Sequence, residues 1–335
     1  MILIRADANE QIGTGHVMRC LSVAEALREK GEEVRFLTAD HRGDGLITAR
    51  GFETVCMDSG YTRMEEEPVL PVIRELAPGL LLTDSYYVTP GYFAALEGSV
   101  RTVYVDDGYV SFGRPEGILN YQIYADPASY DGYEEDALIL GPSYAPLREA
   151  FRKLPPRQTG PVREVLITAG GSDPERISVK LLRELVPGRP GMHFHLVVGA
   201  LNPALEGIRE LADHLEQVTL HVNERDMAGL MRRCDLAVSA AGSTLYELCA
   251  CGTPAVIFAL ADNQLPAVRA FAEQELMVSA GDCRGRSGFV SDLCGLFDEL
   301  AADEQKRADF SKRMQERVDG CGAKRIAERL LASLC

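Results

Sequence analysis

The 335-residue chain has no tryptophan, no run of Lys or Arg, and no interleaving of aromatic with basic residues. Acidic residues outnumber basic ones 50 to 35, for a formal net charge of −15. Such a chain lacks the basic face that phosphate backbones require, which argues against nucleic acid as a partner. Its apolar runs are strand-length, whereas a membrane-spanning helix needs roughly 20 apolar residues, so no membrane span is expected. Nine Cys are scattered without a framework spacing, and no secretory leader precedes Met1-Ile2-Leu3-Ile4. A reducing, cytoplasmic setting is therefore expected. Gly-X-Ser-X-Gly, His-Glu-X-X-His and the Gly-Lys-Ser/Thr of a Walker loop are missing, so serine-hydrolase, zincin and P-loop readings fall away. What remains is 46% apolar with 31 Gly and 17 Pro, the make-up of a globular chain long enough for two domains.

The pattern along the chain is that of an α/β protein. Ile2–Ala6 reads as a buried strand, followed by a loop over 7–15 and an amphipathic helix from about His16 to Lys30, with Val17, Cys20, Leu21, Ala24 and Leu27 on one face. Strands are expected at 33–39, 54–58, 80–84, 102–106, 121–124 and 138–140. The polar, Pro-rich stretch 151–161 reads as a linker, after which the pattern restarts with strands at 164–169, 194–198, 218–222, 236–239 and 255–260. Short apolar strands alternating with helices mark parallel sheets covered on both faces. The expected domains are 1–150, 162–310 and a helical tail over 311–335. Two doubly wound, Rossmann-like domains should face a cleft, with ligand beyond the carboxyl ends of the strands.

Three loops at strand-to-helix junctions could carry chemistry. In Ile12-Gly13-Thr14-Gly15-His16, Gly13 and Gly15 let the backbone turn sharply and approach a ligand. The positive end of the helix dipole there favours a neutral imidazole, able to accept a proton; the plainer reading is a tight turn with a capping His. A dinucleotide fingerprint fits poorly, because Met18 stands where its third Gly belongs. In Gly170-Gly171-Ser172-Asp173-Pro174, backbone amides could form a nest for phosphate oxygens. Equally, Ser172 or Asp173 could simply cap the helix that Pro174 begins. In Ala241-Gly242-Ser243-Thr244, small side chains would let a diphosphate lie against a helix N-terminus, with Glu247 one turn on and placed for a ribose hydroxyl pair. The alternative there is a near-miss capping box. Asp262-Asn263-Gln264 could face a sugar, and Arg148 could clamp a substrate oxygen. His193/His195 and Cys249/Cys251 have i,i+2 spacing without two further candidates at zinc-site spacing, so both read as structural and no metal is expected.

The segments Ile12 to Leu21, Leu140 to Arg148, Gly170 to Pro174, Ala241 to Glu247 and Ala261 to Gln264, in that order, resemble one family. It is that of the UDP-sugar hydrolases of pseudaminic acid synthesis, which act on UDP-2,4-diacetamido-2,4,6-trideoxy-β-L-altropyranose, together with related spore-coat polysaccharide proteins. The resemblance covers residues 1 to about 280 and implies a fold similar to the GT-B glycosyltransferases. It further implies a metal-independent enzyme without cofactor, whose partner is a UDP-sugar. His16 matches the catalytic base and Tyr86 an active-site tyrosine. Arg148, Glu247 and Asn263 match substrate-binding positions, with Glu247 reading the uridine ribose. Departures from the family pattern fall at Asp106-Asp107-Gly108-Tyr109 and Leu119-Asn120-Tyr121-Gln122, two stretches that should face the sugar.

Overall fold

Hydrophobic strands and amphipathic helices resolve into two parallel sheets in the computed structural model, which describes the chain except for residues 10–11, 63, 65–67, 107, 109–112, 172, 201 and 334–335. The chain divides into two compact units, 1–149 with 320–335, and 150–319.

The first unit holds β1 (Ile2–Ala6), β2 (Val34–Thr38), β3 (Glu53–Cys56), β4 (Leu80–Asp84), β5 (Arg101–Val105), β6 (Gly117–Asn120) and β7 (Leu138–Leu140). Their order is β3-β2-β1-β4-β5-β6-β7, parallel throughout. Helices α1 (Gly15–Glu29), α2 (Asp44–Thr48), α3 (Val69–Leu76) and α4 (Pro90–Leu96) connect strands along the chain. β1 and β4 are buried at every position, as central strands of a doubly covered sheet must be. The core includes Leu3, Leu37, Leu81, Phe93, Tyr104 and Ile118. The strand order reverses between β1 and β4, and in open α/β sheets ligands bind at such a switch point.

The second unit repeats the plan. β8 (Glu164–Thr168), β9 (His193–Val198), β10 (Val218–Val222), β11 (Leu236–Ala240), β12 (Ala255–Ala259) and β13 (Val278–Asp282) run in the order β10-β9-β8-β11-β12-β13. Helices α5 (Ile177–Glu184), α6 (Leu205–Asp213), α7 (Met227–Arg233), α8 (Thr244–Cys251), α9 (Leu265–Glu273), α10 (Phe289–Ala302) and α11 (Glu304–Arg317) belong to it. Its switch point lies between β8 and β11.

Four expectations need correction. There is no separate helical tail: α11 belongs to the second unit, burying Phe310 and Met314, whereas α12 (Gly322–Ala332) belongs to the first. There α12 lies along α1, with Lys324–Glu29 at 2.6 Å and Lys30–Glu328 at 2.7 Å. Its first residue rests on the 144–145 backbone, where a Cβ at Gly322 would stand 2.1 Å from the Ala145 carbonyl oxygen, so only glycine fits. The stretch 151–161 is not a loose linker but a strap of the second unit. Phe151 is buried, Arg157 donates to the carbonyls of Met231, Arg232 and Cys234, and Arg307 donates to the carbonyl of Gly160. The strand expected at 121–124 lies earlier, at β6, because the Asn120 carboxamide oxygen accepts the Gln122 amide and turns the chain. β13 lies where the sequence pattern sets no strand.

Candidate active site

At the first switch point a tight loop leads from β1 into α1. Asn9 and Gly13 exchange backbone hydrogen bonds of 3.2 and 2.8 Å, and Gly13 takes φ 70°, a left-handed conformation that glycine adopts without strain. His16 is the second residue of α1 and only 4% exposed. Asp84 ends β4, in register with Ala6 of β1. Adjacent strands thus bring together side chains 68 positions apart, and Asp84 Oδ1 accepts Nδ1–H of His16 at 2.6 Å.

Arg19, nearly one turn along α1, completes the centre. Its Nε and Nη2 donate to the two oxygens of Asp84, both at 2.5 Å, a bidentate fork. Its Nη1 donates to the Tyr121 hydroxyl at 2.8 Å. The Asp84 carboxylate is 1% exposed, and burial alone would raise its pKa. The charge of Arg19, with the hydrogen bonds from Arg19 and His16, overcomes that and holds the group well below the ordinary carboxylate range. Asp84 is therefore ionised and fixed, and by accepting from Nδ1 it keeps a proton on that nitrogen of His16. Nε2 is left as the acceptor, the tautomer a general base needs. Tyr86 meets the imidazole edge-on at 4.5 Å between ring centroids and is 50% exposed. Asp7, Ile12, His16, Asp84, Ser85, Tyr86 and Tyr87 line a narrow recess here. The sequence points to His16 and the resemblance to Tyr86, but neither gives a role to Asp84 or Arg19.

The neighbouring strand ends are polar and closed on themselves. Asp7 takes Arg5 at 2.7 Å and the Ala39 amide at 2.8 Å. Asp106 accepts from the Tyr130 hydroxyl at 2.8 Å, and that hydroxyl accepts from Asn120 Nδ2 at 2.7 Å. Asp107 and Tyr109 of the departing segment lie outside the described residues. Arg148 is half-buried after the 142–144 turn and is not among the residues lining the recess.

In the second unit, the loops following β8 and β11 adjoin across the switch point. Gly171 and Gly242 are exposed, and a Cβ at either would meet nothing within 4 Å. Ser172 lies outside the described residues. Asp173 has a structural task, accepting the amides of Ile177 and Ser178 at 2.8 Å each and so capping α5, which begins at Ile177 and not at Pro174. Ser243 precedes α8 without capping it through its side chain, Thr244 is the first helical residue, and Glu247 is half-buried on the first turn. Asn263 is exposed in the short helical turn after β12, beside Gln264, whose Oε1 accepts the Leu260 amide at 2.7 Å. In the β8–β10 strands, His195 bonds to Glu164 at 2.8 Å and to His221 at 3.0 Å, a closed structural network. Cys249 and Cys251 are buried in α8, and burial pushes the Cys251 thiol up to about 12.

Two parallel-sheet, Rossmann-like domains in one chain define the GT-B-like class, and the solved structures agree. MurG of Acinetobacter baumannii superposes with a TM-score of 0.71 at 15% identity, over 99% of each chain. A UDP-GlcNAc 2-epimerase from Neisseria meningitidis, bound to UDP-GlcNAc, gives 0.68 at 14% identity, over 99% of this chain and 100% of that one. At such identities the likeness is one of fold. By sequence, the chain is 26% identical over 290 residues to the spore coat polysaccharide biosynthesis protein SpsG of Bacillus subtilis, covering 83% of each. It is 24% identical over 250 residues to the UDP-2,4-diacetamido-2,4,6-trideoxy-beta-L-altropyranose hydrolase of Campylobacter jejuni, covering 73% of this chain and 86% of that protein. A Helicobacter pylori protein named as both a pseudaminic acid cytidylyltransferase and that hydrolase is 29% identical, but the match spans only 34% of its length. No protein-family model matches the chain. Among the described residues, no helix is long and apolar enough to cross a membrane.

Proposed function

We propose that the protein hydrolyses a UDP-linked diacetamido-trideoxyhexose at the anomeric carbon–oxygen bond, releasing UDP and the free sugar, in cytoplasmic synthesis of a pseudaminic-type or spore-coat glycan. The observation that carries this reading is the buried Asp84–His16 pair, which leaves Nε2 of His16 as a base. The hydrolase named among the relatives supports the substrate class. His16 Nε2 takes a proton from water as the water oxygen bonds to the anomeric carbon. The bond from that carbon to the β-phosphate oxygen breaks, and its electron pair leaves with UDP. Attack opposite the leaving group inverts the anomeric centre. Base catalysis of this kind contributes roughly 10²- to 10⁴-fold. Tyr86 flanks the base. In the second unit, the amides of the Gly171 and Gly242 loops and the start of α8 take the diphosphate, Ser243 and Thr244 add hydroxyl donors, and Glu247 takes the ribose hydroxyls. Arg148 and Asn263 are assigned to the sugar.

The GT-B-like fold favours one rival, a transferase in which His16 deprotonates an acceptor hydroxyl. Incubation with a UDP-2,4-diacetamido-trideoxyhexose in ¹⁸O water without acceptor, followed by mass spectrometry, separates the two. Hydrolysis places the label in the free sugar. UDP release that waits for an added acceptor moves the assignment to the transferase, binding without any turnover leaves a sugar-nucleotide-binding subunit, and label in the nucleotide sinks all of these.

A further inference from the structure

Away from the His16 centre, three metal-ligating side chains meet at the carboxyl ends of β2 and β3. These strands are adjacent, with Thr38 opposite Cys56. Cys56 ends β3, Asp58 follows two residues later, and His41 opens the short helical turn just past β2. A ring nitrogen of His41, the Cys56 sulfur and a carboxylate oxygen of Asp58 all lie within 4.8 Å of one another. Asp58 holds a left-handed φ of 49°, a conformation that Asp tolerates better than most residues. Asp44 accepts Nδ1–H of His41 at 2.7 Å and the Thr38 hydroxyl at 3.2 Å. That contact occupies Nδ1 and leaves Nε2 as the ring nitrogen a metal would take, the outer support that metal-binding histidines commonly have.

We propose that His41, Cys56 and Asp58 bind one divalent cation of the zinc class, with water as the fourth ligand. Nitrogen, thiolate and carboxylate together suit zinc, whereas calcium and magnesium favour all-oxygen sets. On binding, the metal–sulfur bond replaces the Cys56 S–H bond, the proton passes to solvent, and nothing is oxidised or reduced. None of the three ligands lines the recess around His16, so the ion is a structural brace. What it would brace is definite. The Ala39 amide beside this turn is held by Asp7, and Gly43 rests against Ala8, at the root of the loop that carries His16.

The test is titration of the full chain with Co²⁺ under a non-thiol reductant. One equivalent should bind and produce the intense near-ultraviolet band of thiolate-to-cobalt charge transfer, which Zn²⁺ then displaces. C56S should lose the band, and H41N and D58N should each weaken binding by about tenfold or more. H41N, exposed and remote from the core, keeps the test meaningful should C56S fail to fold. Absence of saturable binding, a band that persists in C56S, or unchanged affinity in H41N would overturn the proposal.

Discussion

The two sheets share a strand order and reverse direction at equivalent places, yet each switch point is furnished differently. Between β1 and β4 the chain assembles ionised side chains, with Asp84 locked to Arg19 and orienting His16. Between β8 and β11 it offers bare backbone at Gly171 and Gly242, small hydroxyls, and Glu247 one turn on. A catalytic base must be held in one tautomer and one orientation, which takes a costly buried carboxylate and a compensating cation. An anion needs only amides pointing at it, which a helix start supplies without side-chain charge. On the proposed reading, the same architecture is specialised by side chains in one unit and by their absence in the other.

The comparison breaks most visibly at His16. His16→Ala should reduce turnover by at least roughly 10²-fold, the low end for loss of a general base, while UDP affinity measured by calorimetry stays near wild type. A variant that keeps wild-type kcat would remove the base from this unit altogether.

Asp84→Asn should act on both rate and stability. An amide can present N–H to Nδ1, moving the imidazole proton to Nε2 and spoiling the base, and it takes from Arg19, which is 14% exposed, the carboxylate charge that its fork grips. Breaking a buried pair in this way costs about 3–5 kcal/mol. The pH dependence has a definite sign. Asp84 titrates lower in the folded state than in the unfolded chain, whose carboxylates titrate near 4. Its contribution is complete at neutral pH, starts to fall below that value and is lost as pH drops through the folded-state pKa. The stability gap between wild type and Asp84→Asn, measured by urea denaturation, should therefore narrow from pH 7 to about pH 3. A gap that widens on acidification would mean the carboxylate is not held ionised by its partners.

Much of the fold is legible because buried parallel strands are short apolar runs. Ile2–Ala6, Leu80–Asp84, Leu138–Leu140 and Val218–Val222 fall where hydrophobicity alone puts them. Local pattern fails where a side chain redirects the backbone, as Asn120 does after β6, or where a strand is weakly apolar, as in Val-Ser-Ala-Gly-Asp of β13. It also gives no hint that α12 returns to the first unit, which depends on Gly322 fitting against Ala145. Of the site, His16 is visible as an unusual residue at a helix start. Its partner is not, because the link between positions 16 and 84 exists only once β4 is known to lie beside β1. His41 and Cys56 are hidden in the same way by the pairing of β2 with β3.

The second unit is tested first at Glu247. If its carboxylate takes the ribose hydroxyl pair, Glu247→Ala should weaken UDP binding by about 1.5–3 kcal/mol, the range for hydrogen bonds to a charged group. Thymidine diphosphate, which lacks the 2′-hydroxyl, should discriminate poorly between mutant and wild type. Equal loss for both nucleotides would move the ribose contact elsewhere.

The smallest effect is also the sharpest on the contrast between the units. Gly13 and Gly242 both have open space where a Cβ would stand, but only Gly13 has a left-handed φ. Gly13→Ala should cost roughly 1–2 kcal/mol, because an L-residue is strained in that conformation whatever the room around it. Gly242→Ala carries no such strain, and an exposed substitution of this kind should leave stability within about 0.5 kcal/mol of wild type. If a diphosphate lies against the 242–243 backbone, the added methyl group occupies the ligand's space, and UDP affinity should fall by about 1 kcal/mol, the low end of the overpacking cost. Calorimetry with UDP and thermal melts on the same two variants separate strain from contact. Unchanged UDP affinity in Gly242→Ala would show that the bare backbone at the second switch point is a turn and not an anion cradle.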